Sequence, residues 1–235
     1  MTHGGVDPCV IIPVRSLPDG KRRLSGCLNA VQRHRLGRQF LLHMLAITRH
    51  WPGSGRTCVV SACPEALQLA RRRGALWLRQ PLHEEAASDD REAGLNAAVA
   101  YAVAQLRRHG PRDVMIVSSD LPMATTADLV ELCDLSWHGP QAPRVVVAAN
   151  STGTGTNALY LPGHATLAFA YGADSCRRHA ASACRQGLPV HTAHIVNLAR
   201  DIDTQHDYME WRATLRRARA SLCFKRLTHG YLALR

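Results

Sequence analysis

Short, β-branched apolar runs alternate with longer stretches of helical periodicity, and this alternation limits the fold more than any other feature of the chain. The first run, Cys9–Val14 (CVIIPV), is continuous rather than alternating, as a strand covered on both faces must be. DVMIVSS at 113–119 has the same character. Shorter runs at 57–62, 75–78, 144–149, 157–161 and 190–196 complete the strands. Between them lie predicted helices at 28–47, 64–73, 94–108, from Thr125 to before Gly139, at 175–187 with Ser175 as cap, and at 205–222. The first carries Val31, Leu36, Phe40, Leu41, Met44 and Leu45 at helical spacing and stops at Pro52, Gly53 and Gly55. Strands alternating with helices predict parallel βαβ units in one doubly wound sheet. The expected architecture is therefore α/β: a single-domain, three-layer fold with a mostly parallel, Rossmann-like sheet over 1–222, and a basic tail at 223–235. In such sheets ligands sit beyond the carboxyl ends of the strands, so the residues just after each strand matter most.

Charge narrows the partners. Lys and Arg total 29 against 18 Asp and Glu, a formal net charge of +11, which favours anionic ligands such as nucleotides and phosphorylated metabolites. Most of the cations are Arg, whose planar fork grips phosphate and carboxylate, although a basic surface alone can be merely solvated. Nucleic-acid binding would also use this charge, but the chain has no aromatic stacking runs and no helix-turn-helix or zinc-finger signature. The 8 cysteines contain no C-x-x-C, and the His residues no H-E-x-x-H, which argues against zinc and dithiol chemistry. The opening MTHGG lacks the form of a signal peptide, and no apolar stretch approaches the roughly 18 residues of a membrane span. These features predict a cytoplasmic protein with reduced thiols and no membrane or nucleic-acid partner.

The segments after the strands carry the chemistry. After Cys9–Val14 come Arg15, Lys21, Arg22 and Arg23 around Gly20, a cationic loop that is neither a Walker loop nor a dinucleotide fingerprint. Cations beside a strand end suit a triphosphate, although an exposed basic loop would look the same. After the 113–119 run comes Asp120-Leu121-Pro122, a carboxylate placed either to hold Mg²⁺ or to cap a turn. Asp201-Ile202-Asp203-Thr204 supplies a second acidic group; D-x-D on an extended chain turns both carboxylates to one side, and Asp203 or Thr204 could also cap the last helix. Gly172-Ala173-Asp174-Ser175 approaches a helix N-terminus suited to an anion, with Arg177, Arg178 and His179 in its first turn. Asn96, near the opening of the third helix, reads as a cap more readily than as a contact to ribose or base.

Together these segments resemble the guanylyltransferases of deazaflavin coenzyme F-420 biosynthesis, the CofC/FbiD family, also called 2-phospho-L-lactate guanylyltransferases. The matching pieces are IIPVRSLPDGKRRL (11–24), GLNAAV (94–99), SSDLP (118–122), GTNALYL (155–161), GADSCRRH (172–179) and DIDT (201–204), in family order over nearly the whole chain. The resemblance implies a fold of the nucleotide-diphospho-sugar (NTP) transferase type, with GTP as substrate and Mg²⁺ as cofactor. It implies transfer of GMP onto the phosphate of 2-phospho-L-lactate, phosphoenolpyruvate or 3-phospho-D-glycerate, with pyrophosphate released. The Arg- and Ala-rich composition is similar to that of proteobacterial members, which favours 3-phospho-D-glycerate. The nucleotide-binding candidates are Pro13, Arg15, Lys21, Arg23, Gly94, Asn96 and Ser119, and the catalytic ones Lys21, Arg23 and Asp120. The family's acceptor motif falls on Thr156, Gly172 and Ser175, and its metal positions on Asp120 with Asp203 or Asp201. Arg15 stands where the family has Lys, and His43 where it has an acidic residue. A homodimer and a downstream transferase that takes the product are the implied partners. Another nucleotidyltransferase, such as a molybdopterin-cofactor guanylyltransferase, is the alternative, but its L-x-G-G-x-S loop is missing here. A nucleic-acid-binding or non-catalytic partner protein is the third alternative.

Overall fold

The structure, a computed structural model, describes residues 8–49, 57–81, 91–138 and 142–232, for 91 and 219–232 through the backbone alone. The MTHGG start, the stop signals Pro52, Gly53, Gly55 and Gly139, and the last residues of the basic tail lie outside the described residues.

Seven strands among the described residues form one sheet in the order β3-β2-β1-β4-β6-β5-β7. They are β1 (Cys9–Val14), β2 (Thr57–Ser61), β3 (Leu76–Arg79), β4 (Val114–Val117), β5 (Val145–Ala149), β6 (Thr156–Leu161) and β7 (Val190–Ala193). The predicted parallel units are present as β1 with β2, β2 with β3, β1 with β4, and β5 with β7. The exception is β6, which runs antiparallel to both β4 and β5. Only residues 150–155 separate β5 from β6, too few for a crossover helix, so the chain must turn straight back.

Two apolar layers sandwich the sheet. Helices α1 (Ala30–Arg49), α2 (Pro64–Arg72) and α4 (Thr126–Trp137) bury Leu41, Met44, Leu69 and Leu129 against the β1 face that carries Val10, Ile12 and Val14. Helices α3 (Arg91–Leu106) and α5 (Ser175–Arg185) bury Val99, Ala102, Cys176 and Ala183 against the opposite face, with Ile11, Val147 and Leu159. Fully buried strands have no polar face to show, which is why the sequence runs are continuous. A third cluster lies off the sheet: Leu24, Leu28, Leu36, Phe40, Ile202 and Tyr208 join the 3-10 turn Arg22–Leu24 to α1 and α6 (Gln205–Leu232). The backbone of α6 continues to Leu232 rather than stopping at Leu222. No helix among the described residues is long and apolar enough to cross a membrane.

Two local expectations need correction. Helix α3 begins at Arg91, so Gly94 and Asn96 lie inside it and Asn96 is not its cap. Helix α5 is capped by Asp174, in the left-handed region at φ 52 and without a side-chain hydrogen bond; Ser175 is its first residue. The Ser175 hydroxyl accepts instead from the Thr156 amide at 2.8 Å. Thr125, where the sequence starts the fourth helix, is the cap of α4 and shares a reciprocal pair of bonds with Asp128. Cys58 behaves as the sequence suggests for a small core residue, burial pushing its thiol up to about 12.

Candidate active site

The edge of the sheet where β1 and β4 end is also where β6 begins, because β6 is reversed. Strand β1 has neighbours on both sides that lead the chain in opposite directions, β2 and β4, so its carboxyl end is the switch point where a doubly wound sheet opens a crevice. Pro13 sharpens the opening. Pairing of β1 with β4 covers Cys9, Val10 and Ile11 and goes no further, and Pro13 has no amide hydrogen to extend it.

Three loops meet at this edge. Lys21, at φ 54, introduces the 3-10 turn after β1. Its ammonium donates to Asp120 Oδ2 after β4 and, at 2.9 Å, to Asp203 Oδ1 before α6. The meeting is set by the apolar residues beside the charges: Leu24 and Ile202 are both buried in the third cluster, which fixes Lys21 and Asp203 on facing loops. The Ser118 hydroxyl donates to Asp120 Oδ1 at 2.5 Å, and the Ile202 amide donates to the Asp120 carbonyl at 3.3 Å. Thr204 caps α6 through a reciprocal pair with Asp207. The cap and ligand readings of the DIDT segment therefore separate, with Thr204 as cap and Asp203 turned to Lys21.

Asp201 joins from the side. The Asn157 amide nitrogen donates at 3.0 Å both to Asp201 Oδ1 and to the Leu198 carbonyl. Asn157 can do this because the β5–β6 ladder is irregular there: Ala148 pairs with Ala158 and Ala149 with Thr156, leaving Asn157 as the extra residue of a bulge.

The charges respond to one another. Burial opposes the Lys21 ammonium, but the carboxylates of Asp120 and Asp203 outweigh it and hold its pKa above the ordinary value. Burial likewise opposes the Asp120 carboxylate, and the Lys21 charge reverses this and holds its pKa below the usual range. Asp201 is raised, first by burial and then by the Asp120 charge. The donor set fits a hard divalent cation: the two carboxylates converge on a single positive point, all ligands are oxygen, and Mg²⁺ is ordinarily held by one or two carboxylates with waters and phosphates completing the shell. Among the described residues no group of three or more His, Cys, Asp or Glu side chains is placed to hold a metal by itself, so water and phosphate oxygens would supply the rest.

Across the β6 bulge lies a neutral region. Thr156 Oγ1 meets His179 Nδ1 at 3.0 Å, and the Ala170 amide donates to His179 Nε2 at 2.9 Å. Asn96 Oδ1 accepts from the Tyr171 amide at 2.7 Å. Asn96 thus fastens the loop ahead of α5 instead of capping α3. Gly172 sits at φ +117, a conformation that favours glycine, and a Cβ there would displace the movable end of the Glu92 side chain. The Arg177–His179 run is not a single anion site: Arg178 bonds the Tyr171 carbonyl and pairs with Glu92, His179 is fully buried, and Arg177 is 81% exposed beside Asp174.

The structure therefore brings Lys21, Asp120, Asp201 and Asp203 into one cluster and Thr156, Gly172 and Ser175 into another. Pro13 and Ser119 line the β1–β4 edge, while Arg15 and Arg23 are exposed on the loop that holds Lys21. The Gly94 carbonyl is held by the Gln80 side chain at 3.1 Å. Sequence reasoning missed Ser118 and Asn157 as parts of the site, only their presence inside the quoted motifs pointing to them, and it read His179 as part of a cationic run rather than as a neutral partner of Thr156. A hollow of about 170 Å³ abuts Asp201, whereas a larger one of about 420 Å³ lies along α4, beside Glu131 and His138 and away from this chemistry.

Comparison with known proteins follows the same lines. The family described as guanylyl transferase CofC like matches residues 8–214. A phosphoenolpyruvate guanylyltransferase of Conexibacter woesei is 36% identical over 197 residues, covering 84% of this chain and 83% of the relative. One from Chloroflexus aggregans is 32% identical over 213 residues, covering 89% of this chain and 98% of the relative. Among solved structures, a Desulfovibrio desulfuricans G20 protein assigned to the nucleotide-diphospho-sugar transferases matches with a TM-score of 0.61 at 14% identity, covering 85% of this chain and 83% of that one. A 4-diphosphocytidyl-2C-methyl-D-erythritol synthase of Anaerococcus prevotii matches with a TM-score of 0.54 at 9% identity, covering 89% and 96%. At such identities the structural matches speak for the fold alone.

Proposed function

The chain belongs to the family of CofC-like guanylyl transferases and is a nucleotidyltransferase, and from that premise we propose that it moves GMP from GTP onto the phosphate of a three-carbon phospho-acid in the cytoplasm. The observation that carries the reading is the Lys21 ammonium held between Asp120 and Asp203 at the switch point of the sheet.

The acceptor phosphate is already ionised at neutral pH, so its oxygen attacks the α-phosphorus without a general base. The bond from the α-phosphorus to the bridging oxygen breaks, and the electron pair leaves with pyrophosphate. Catalysis then consists of alignment and charge neutralisation. Lys21 and Arg23 hold the β- and γ-phosphates, with Arg15 assisting, and Pro13, Gly94, Asn96 and Ser119 shape the nucleotide's side of the cleft. Thr156, Ser175 and the Gly172 amide hold the acceptor. Asp120 and Asp203, with Asp201 beside them, would bind Mg²⁺, which when present neutralises charge on the phosphates.

Phosphoenolpyruvate heads the acceptors because the named relatives act on it. 3-Phospho-D-glycerate and 2-phospho-L-lactate share its phosphate, carboxylate and three-carbon frame. The product, an acid joined to GMP through a phosphoanhydride, is activated for a transferase that displaces GMP, as the family's place in F-420 biosynthesis requires. The test is pyrophosphate release from GTP and Mg²⁺ with each acceptor offered singly. Release with one acceptor is expected. No release with any of them, across GTP, ATP and CTP, overturns the reading.

A further inference from the structure

The His179 ring is fully buried, and its two nitrogens meet the Thr156 hydroxyl and the Ala170 amide, of which only the amide has a fixed demand. The Ala170 amide can only donate, so Nε2 must offer it a lone pair. A neutral imidazole has one N–H, which then resides on Nδ1 and points to Thr156 Oγ1. Burial, with the Arg178 charge second, keeps the ring neutral by pushing its pKa down to about 4. The opposite tautomer would set two N–H groups against each other at Ala170. The Tyr171 ring packs against the imidazole in a T-shaped contact, 4.7 Å between centroids.

The consequence falls on Thr156. Its hydroxyl oxygen accepts from His179, so its proton remains available, with no acceptor among the described residues. Ser175 is in the same condition, its oxygen accepting from the Thr156 amide. Two neighbouring hydroxyls that have each accepted from the protein and still hold a proton to donate suit an anionic oxygen.

We propose that His179 is a positioning residue for the acceptor: by donating to Thr156 it fixes that hydroxyl as a donor to the phosphate or carboxylate of the phospho-acid. The proposal rests on the function proposed above, and its test separates the two.

Asparagine and glutamine divide the roles of the ring. His179→Asn places an amide N–H near Nδ1 and keeps the donor to Thr156; His179→Gln places a carbonyl near Nε2, keeps the acceptor for Ala170 and loses the donor. The expected result is an acceptor KM raised about tenfold in His179→Gln, with the KM for GTP unchanged, and largely restored in His179→Asn. In a Thr156→Val background, His179→Gln should add less than about twofold. Equal damage by Asn and Gln, a matching rise in the KM for GTP, or additive effects in the double variant would each overturn the proposal in favour of a purely structural histidine. Calorimetric titration of phosphoenolpyruvate, 3-phospho-D-glycerate or 2-phospho-L-lactate, whichever the wild type binds, into each variant decides the matter without turnover. If the wild type binds an acceptor but releases no pyrophosphate with any of the three, the proposed function fails and the same Asn/Gln contrast in affinity still judges His179. Binding of none of the three by the wild type overturns both. If His179→Gln does not fold by circular dichroism, the Asn variant with and without Thr156→Val carries the comparison, and a tenfold loss on adding Asn alone refutes the role.

Discussion

The two halves of the site are built on opposite terms. The Lys21–Asp120–Asp203 half is a charged clasp whose members come from three loops and meet through a single ammonium. The Thr156–Ser175–His179 half is neutral, buried and closed by hydrogen bonds whose directions are already settled. A clasp of opposite charges can be reopened by a competing cation or polyphosphate, because such a ligand satisfies the carboxylates or the ammonium in its turn. A neutral network offers no such exchange; its directions are set before the ligand arrives, and only the Thr156 and Ser175 protons are left to give. One half is made to be rearranged, the other to stay as it is.

The largest break in that contrast should come from Asp120→Asn. Losing the carboxylate should lower turnover about 10²- to 10³-fold, by analogy with the loss of one electrostatic group at a reaction centre, while the fold survives. Pyrophosphate release and the circular dichroism melt measure the two effects, and near-normal turnover would remove Asp120 from the metal. Lys21→Met should come next, lowering turnover about 10²-fold. It should also tighten binding of Mn²⁺ in the absence of nucleotide, since two carboxylates lose their internal cation. Electron paramagnetic resonance of Mn²⁺ reads this directly, and weaker binding than wild type would show that Lys21 does not occupy the cation's position.

On the neutral side, Gly172→Ala should cost about 1–3 kcal/mol of stability in a thermal melt, because φ +117 is hostile to any side chain. The pH dependence is a gentler probe. His179 has an ordinary pKa of 6.5 and is pushed down to about 4 when folded, so between these values the unfolded chain binds more protons than the folded one. Its contribution to stability is full above 6.5 and is lost progressively as pH falls toward 4. Chemical denaturation at several pH values should show this slope diminished in His179→Asn. The smallest effect belongs to Arg177→Ala: the side chain is 81% exposed and paired with Asp174 at 4.0 Å, so acceptor KM should change less than about twofold. A large change would show that charge acts in the neutral half.

How much of this could be read from the residues depended on distance along the chain. Strands β1 and β4 were legible because a strand buried on both faces must be continuously apolar, and the start of α4 was legible at Thr125 to within one residue. The gathering of Lys21, Asp120 and Asp203 was foreseeable only as a rule that ligands sit at strand ends, since the packing of Leu24 and Ile202 that brings them together is non-local. Asn96 was misjudged for the same reason: its partner, the Tyr171 backbone, lies far along the chain, and spacing within a helix carries no trace of it. Ser175 resembles a cap in composition, but its hydroxyl was claimed by Thr156 from a neighbouring element. The reversal of β6 was implicit in the short 150–155 connection, yet the bulge that singles out Asn157 left no mark in the pattern of apolar residues.

That bulge makes the site depend on counting. Thr156 serves the neutral half and Asn157, the next residue, reaches Asp201 in the charged half. Each holds its office only because one surplus residue is tolerated opposite Ala148 and Ala149. Lengthening or shortening the 150–155 turn leaves this tally untouched, since the excess lies within the ladder. Removing a single residue from the start of β6 would abolish it, and no change of side chain elsewhere could then return both neighbours to their separate duties. Substitutions can therefore tune either half alone, whereas a deletion at this point must disturb the two together.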